Sequence, residues 1–122
     1  MGKFILKSTN TGYKFDLLAG NSEVIGTSEV YTSKSAALNG IESVKKNATV
    51  HVEDQTVDET LKHPKYELYT DKSGEFRFRL KAVNGEIILA SEGYKSKAGA
   101  KNGIESVSKN APSSEIIDIT EN

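Results

Sequence analysis

The chain has no cysteine among its 122 residues. That excludes a disulfide framework, a thiolate metal site and a cysteine nucleophile together. An excess of either charge is also missing: 16 lysines and arginines stand against 17 aspartates and glutamates. No bulk electrostatic grip on nucleic acid or an anionic membrane is therefore encoded in the net charge. Long hydrophobic runs are absent too. The opening Met1-Gly2-Lys3-Phe4-Ile5-Leu6-Lys7 is too short an apolar stretch for a signal peptide or a span, and nothing later approaches about 18 apolar residues. The expected address is the cytoplasm, with no membrane partner. Nor is there a catalytic signature: Gly-x-Ser-x-Gly, the Walker loop and Gly-x-Gly-x-x-Gly do not occur. What remains is ordinary globular composition, 36% hydrophobic and 27% charged, at a length that suits one folded body.

What is present is a duplication. Tyr13 to Ala48 lies over Phe76 to Ala111 at a constant offset of 63, and 21 of the 36 aligned positions are identical. The longest shared run is Asn39-Gly40-Ile41-Glu42-Ser43-Val44 over Asn102-Gly103-Ile104-Glu105-Ser106-Val107. Upstream, Phe4 and Leu6 fall on Tyr66 and Leu68 at offset 62, the extra residue of the second copy being Glu75. The polar stretch ending at Pro64 suits a solvated connector. The organisation read from this is one domain of two repeats, 1–53 and 65–122, with a linker at 54–64.

Each repeat has the same local pattern. Phe4 and Leu6, then Tyr13, Phe15 and Leu17, alternate with polar neighbours at period two, as do Tyr66 and Leu68, then Phe76, Phe78 and Leu80. Those are half-buried strands. Asn84-Gly85 predicts a type I′ hairpin, which needs positive φ twice; Gly20-Asn21-Ser22 in the first repeat predicts a slightly different turn. After Tyr31 and Tyr94 the period changes. Ser33 and Ser96 suit N-caps, and Ala37, Ile41, Val44 and Ala48 step as one apolar stripe of a helix. Gly40 and Gly103 inside that helix cost about 1 kcal/mol each against alanine, which points to a close approach from the sheet or from a bound group. Asn47 and Asn110 suit a left-handed C-cap. Short strands at Val50-His51-Val52 and Ile116-Ile117-Asp118-Ile119 close the two units as β-β-β-α-β. One unit of about 60 residues buries only about 60% of its unfolded surface and leaves open sheet edges, so two units sharing a sheet is the expected solution.

The aromatic strand, Asn84-Gly85-Glu86, Ser91-Glu92-Gly93-Tyr94-Lys95-Ser96-Lys97 and Asn102 to Ala111 together resemble the YegP-like family of small uncharacterised proteins. The first repeat departs from that pattern at Ser22, Gly26 and Val30. The resemblance implies two β3-α-β motifs that form one sheet and exchange their last strands. It implies no established activity, and a tandem copy is expected to be a monomer with internal pseudo-twofold symmetry.

Histidine is the first place to look for acid-base chemistry near neutral pH. The two, His51 and His63, are unmatched between the repeats, and a metal constellation with Glu53 and Asp54 has nothing to fix His63 near His51. Neither a metal, a cofactor nor a catalytic residue is assigned. The recurring carboxylates Glu23 and Glu86, and Glu42 and Glu105, read more simply as turn and helix partners. The densest recurring polar set lies around the helix start, Ser28, Glu29, Tyr31, Ser33, Lys34 and Asn39 with Ser91, Glu92, Tyr94, Ser96, Lys97 and Asn102, and in it Ser33, Lys34 and Asn39, with Ser96, Lys97 and Asn102, are candidate contacts for a small anion at the positive end of the dipole. Capping and loop bonding explain the same residues structurally. A rival is single-stranded nucleic acid. With Phe76, Phe78 and Leu80 packed inward, Arg77, Arg79 and Lys81 emerge as a basic stripe beside Tyr69. The first repeat does not double that stripe, since it has Lys14, Asp16 and Leu18 there.

The reading is an α+β fold: two tandem β3-α-β repeats in a single antiparallel sheet, two helices on one face, and exchanged C-terminal strands. The function expected is that of a non-enzymatic binding or structural module whose partner the residues do not identify, with the nucleic-acid face as the alternative.

Overall fold

The computed structural model describes residues 2–57 and 60–120. Period-two segments form β1 (Lys3–Ser8), β2 (Tyr13–Leu18) and β3 (Val24–Thr27), then β5 (Lys65–Thr70), β6 (Phe76–Lys81) and β7 (Ile87–Ala90). The helical stripes form α1 (Lys34–Asn47) and α2 (Lys97–Asn110), the second followed by a 3-10 turn at Ala111–Ser113. The closing strands are β4 (Val52–Asp54) and β8 (Glu115–Asp118), so the first of them starts two residues later than the Val-His-Val pattern predicts.

All eight strands make one sheet in the order β4-β5-β6-β7-β3-β2-β1-β8. The repeats meet where Thr27 of β3 pairs antiparallel with Ala90 of β7. These residues are 63 apart, so a pseudo-twofold axis runs between them. Each repeat's last strand lies on the far edge: β4 beside β5 and β8 beside β1. This is the expected exchange, and one feature of it differs from expectation. Both edge pairings are parallel, so the sheet is mixed rather than antiparallel throughout. The helix explains this. Tyr31 bridges to Tyr13 at the start of β2, and α1 then packs across β2 and β7. Its 14 residues span about 21 Å, close to the width of about four strands at about 4.8 Å each. A transverse helix sets the chain down at the same end of the sheet that β3 left, and from there it can only run back alongside β5.

The core lies between the sheet and the two helices. Phe4, Leu6, Phe15 and Leu17, with Tyr66, Leu68, Phe78 and Leu80, meet Ala37, Ile41 and Val44 of α1 and Ala100, Ile104 and Val107 of α2, all buried. Each large side chain contributes about 1.5–3 kcal/mol by leaving water. The caps form as expected: Ser33 Oγ accepts from the Ala36 amide and Ser96 Oγ from Gly99, each at 3.0 Å. The asparagines do not take the left-handed position. Asn47 is the last helical residue, and Ala48 after it has φ −61°. Its amide Nδ2 instead donates back to the Ser43 carbonyl at 2.9 Å, and Asn110 does the same to Ser106 at 2.8 Å.

The β2–β3 and β6–β7 hairpins make one turn type, and it is not I′. At Asn84-Gly85 only Gly85 has positive φ, at 83°. The Gly85 amide donates to Ala82 O and the Ala82 amide to Glu86 O, each at 2.9 Å, which is a three-residue loop with its last member left-handed. The first repeat closes identically through Ala19, Ser22 and Glu23, with Ser22 at φ 69°. A serine there carries about 1–2 kcal/mol of strain, whereas glycine adds about 0.4–1 kcal/mol of unfolded-chain entropy. Ser22→Gly is therefore expected to stabilise the protein by about 0.5–1 kcal/mol, read as a higher urea midpoint; a lower midpoint would show that the serine side chain contributes to the turn.

Candidate functional site: a cleft at the repeat seam

At the helix start, the residues proposed for an anion are engaged within the chain. Ser33 and Ser96 are the caps. Lys34 Nζ pairs with Asp118 at 2.5 Å and Lys97 Nζ with Asp54 at 2.6 Å. Asp118 lies on β8 and Asp54 on β4, so each lysine ties down the strand arriving from the other repeat. Lys34 and the hydroxyl and amide of Thr120 bring the Asp118 carboxyl down to about 2. Burial opposes ionisation of Asp54, but hydrogen bonds from Lys97 and Thr56 outweigh it and also bring that group to about 2. Folded carboxyls with depressed pKa stabilise fully above the ordinary carboxylate range and lose that contribution as pH falls through the folded value. The urea midpoint is therefore expected to stay level from about pH 7 to 5 and drop steeply from about pH 4 to 2. The double variant Lys34→Met, Lys97→Met is expected to flatten part of that drop. A midpoint unchanged at pH 2.5 would remove these pairs as clamps.

Asn39 and Asn102 behave differently. Both are exposed, and among the described residues neither side chain makes a hydrogen bond, so loop bonding does not account for them. Asn39 lines a cleft of about 600 Å³ between α1 and the β6–β7 hairpin of the other repeat. Glu29, Tyr31 and Gly40 come from the first repeat and Asn84 and Glu86 from the second. The Tyr31 ring stacks on Phe15 with centroids 6.2 Å apart, and its hydroxyl lies over Gly40, 2.5 Å from where a Cβ would stand. Tyr94 stacks on Phe78 at 6.2 Å and lies over Gly103 in the same way. The two helical glycines thus admit tyrosines. Neither tyrosine hydroxyl has a hydrogen-bond partner among the described residues. Burial raises the Tyr31 pKa, and the Glu86 and Glu29 carboxylates raise it further; Tyr94 is raised by burial and by Glu92 and Glu23. Tyr31 therefore shares its cleft with Glu29 of its own repeat and with Glu86 from the other repeat's hairpin. That hairpin glutamate is held in place: Asn84 Nδ2 donates to Glu86 Oε1 at 2.8 Å, and Asn21 Nδ2 to Glu23 Oε1 at 2.9 Å.

The basic stripe is paired along its length. Arg77 Nε meets Asp71 at 2.6 Å, and Arg79 Nε meets Glu67 at 2.5 Å while its guanidinium lies 4.4 Å over the Tyr69 ring. Lys81 Nζ is 3.2 Å from Glu67. Beneath them Glu53, Lys65 and Glu67 form a buried ionic cluster, with Lys65 Nζ 2.6 Å from Glu53 and 3.3 Å from Glu67. Burial opposes the Glu53 charge, but Lys65, Gln55 and the Leu61 amide together lower its pKa to about 2. The linker folds over this cluster: the Leu61 amide donates to Glu53 at 2.6 Å, and His51 Nε2 lies 2.7 Å from the Lys62 carbonyl. His63 sits by Gly85. Among the described residues no group of three or more His, Asp or Glu side chains is placed to hold a metal ion, and no helix is long and apolar enough to cross a membrane.

Sequence reasoning separated Glu23 and Glu86 from the helix-start set, and it missed Asp54 and Asp118 as lysine partners. The identity of Glu29 with Glu92 and of Asn39 with Asn102 was the available signal. Capping, core packing and ion pairs account for most of the other identical positions, but not for these exposed ones.

The pattern of a family described as a domain of unknown function (DUF1508) matches residues 8–54 and again 71–118. A UPF0339 protein of Bordetella pertussis is 44% identical over 120 residues, covering 98% of this chain and 97% of that one. The UPF0339 protein YegP of Yersinia pestis is 42% identical over 116 residues, covering 95% and 93%. Two solution structures superpose on the fold. A UPF0339 protein from Shewanella oneidensis gives a TM-score of 0.82 at 40% identity, covering 98% of this chain and 92% of that one. The protein of unknown function yegP from E. coli gives 0.83 at 38% identity, covering 99% and 95%.

Proposed function

The chain belongs to the DUF1508 family as a tandem of two copies, and from that premise we propose a non-enzymatic cytoplasmic binding module that takes a small ligand in the cleft at its seam and, by the pseudo-twofold relation, at the equivalent position of the other side. One observation carries the reading: Tyr31, Glu29 and Asn39, whose side chains have no hydrogen-bond or ion-pair partner among the described residues, line one cleft together with Glu86 of the other repeat. Small-molecule sites characteristically combine a cleft of about 300–1,000 Å³ with a few convergent polar groups. The cleft needs both repeats, which gives the duplication a use beyond completing the sheet. The chemistry favours binding over turnover. Neither histidine lines the first cleft, and a phenol whose pKa is raised stays protonated near pH 7 and serves as a hydrogen-bonding group rather than a base. The basic outer face lends no support to nucleic-acid binding, because its cations already have carboxylate partners.

Native mass spectrometry of the protein purified gently from its source cell tests the reading. A bound small molecule is expected, lost from the variant Tyr31→Phe, Asn39→Ala, Tyr94→Phe, Asn102→Ala. A bare protein, or a ligand retained by the variant, would count against the cleft.

A further inference from the structure

We propose that the seam cleft, and with it the pseudo-twofold-related position, selects a small organic cation, an alkyl amine whose ammonium group sits between the two glutamates and the tyrosine hydroxyl. This rests on the binding reading above and adds the class of ligand. Glu29 and Glu86 are the carboxylates of the first cleft. Lys81 at its border has its ammonium 3.2 Å from Glu67 on the outer face, so it offers little to an incoming anion. Asn84 donates to one oxygen of Glu86, orienting that carboxylate without neutralising it. The Tyr31 oxygen and the Asn39 amide oxygen add acceptors with no partner among the described residues.

Acceptors therefore predominate. An ammonium carries three N–H donors and no acceptor, and two carboxylates with a phenol oxygen match that set, with charge-assisted bonds supplying most of the attraction. An anion entering the same space would meet two like charges, and a neutral ligand would leave the carboxylates without a counter-charge. The pseudo-twofold-related position carries the same residue types: Tyr94 stacks on Phe78 and lies over Gly103, Asn21 holds Glu23, and Leu18 stands where the first cleft has Lys81. A linear diamine is a suitable probe because its second ammonium can stay in solvent through the open mouth.

The test is a 15N NMR titration of the full chain at low salt with 1,4-diaminobutane, and in parallel with glutarate and 1,4-butanediol. Saturable shifts are expected with the diamine alone, at the amides of Asn39, Gly40 and Glu86 and at Asn102, Gly103 and Glu23. The double variant Glu29→Gln, Glu86→Gln is expected to weaken binding in the first cleft by at least tenfold while leaving the pseudo-twofold-related position unchanged. Both residues are exposed, and an otherwise unchanged amide spectrum verifies the fold. Saturation by glutarate or butanediol at these residues, without the diamine, would overturn the cation assignment and leave the cleft as a binding site. Silence with all three probes would overturn the cation assignment, and the native mass measurement would then decide separately whether the cleft binds anything.

Discussion

Lys65→Met is expected to lower the unfolding free energy by about 3–5 kcal/mol, the loss typical of removing one partner from a buried ion pair. Lys65 is 5% exposed, and the two glutamates it serves are 2% and 3% exposed. Those glutamates are direct partners across the parallel β4–β5 pair, so without the ammonium two carboxylates lie side by side in a space closed by the linker. Arg79 and Lys81 still reach Glu67, but nothing comparable replaces Lys65 at Glu53. The first repeat supplies the control. Its matching β1–β8 pair is Ile5 beside Ile117, an apolar solution to the same position. The triple variant Glu53→Ile, Lys65→Met, Glu67→Ile is therefore expected to recover most of the loss. Urea unfolding of the two variants at pH 7 measures both. A loss under about 1 kcal/mol for the single change would mean that water reaches the cluster.

Gly26→Leu, the second large effect, is expected to cost about 3 kcal/mol or more, at or above the upper end for overpacking. Gly26 and Leu89 occupy the same position in the two repeats and meet across the seam, with Leu89 Cγ 2.6 Å and Cδ2 2.7 Å from where a Gly26 Cβ would stand. Leu89 is fully buried, so its side chain has nowhere to withdraw. Leu89→Gly opens the converse cavity at about 3–5 kcal/mol. Exchanging the pair, Gly26→Leu with Leu89→Gly, restores one large and one small residue and is expected to recover more than half of the summed losses. Strictly additive losses in the double variant would show that the two do not share one space. The duplication departs from symmetry here because a residue next to a twofold axis faces its own counterpart: two leucines collide and two glycines leave a hole.

Much of this was legible along the chain. The strands and helices follow periods of 2 and 3.6, Ser33 and Ser96 sit one residue before their helices, and the offset of 63 exposes the repeat. The YegP-like resemblance correctly implied exchanged last strands in one sheet. What the chain alone did not disclose shares a cause. Arg77, Arg79 and Lys81 do share a face, yet their charge is answered by Glu67 on β5 and by Asp71 beyond its end. Lys34 and Lys97 looked available for an anion until strands from the opposite repeat brought Asp118 and Asp54 to them. Asn47 has the residue type of a left-handed cap, but burial made a bond to its own helix the better use of its amide. The seam cleft was invisible for the same reason, since Tyr31 and Glu86 belong to different repeats.

The sequence by itself determined the repeat, its strands and its helix, because a hydrophobic period and a capping serine act within a few residues of chain. Only the tertiary structure decided which charges are matched, which edge strands run parallel and where acceptors gather. Those depend on a helix long enough to carry the chain across the sheet, so that each half is completed by side chains from the other.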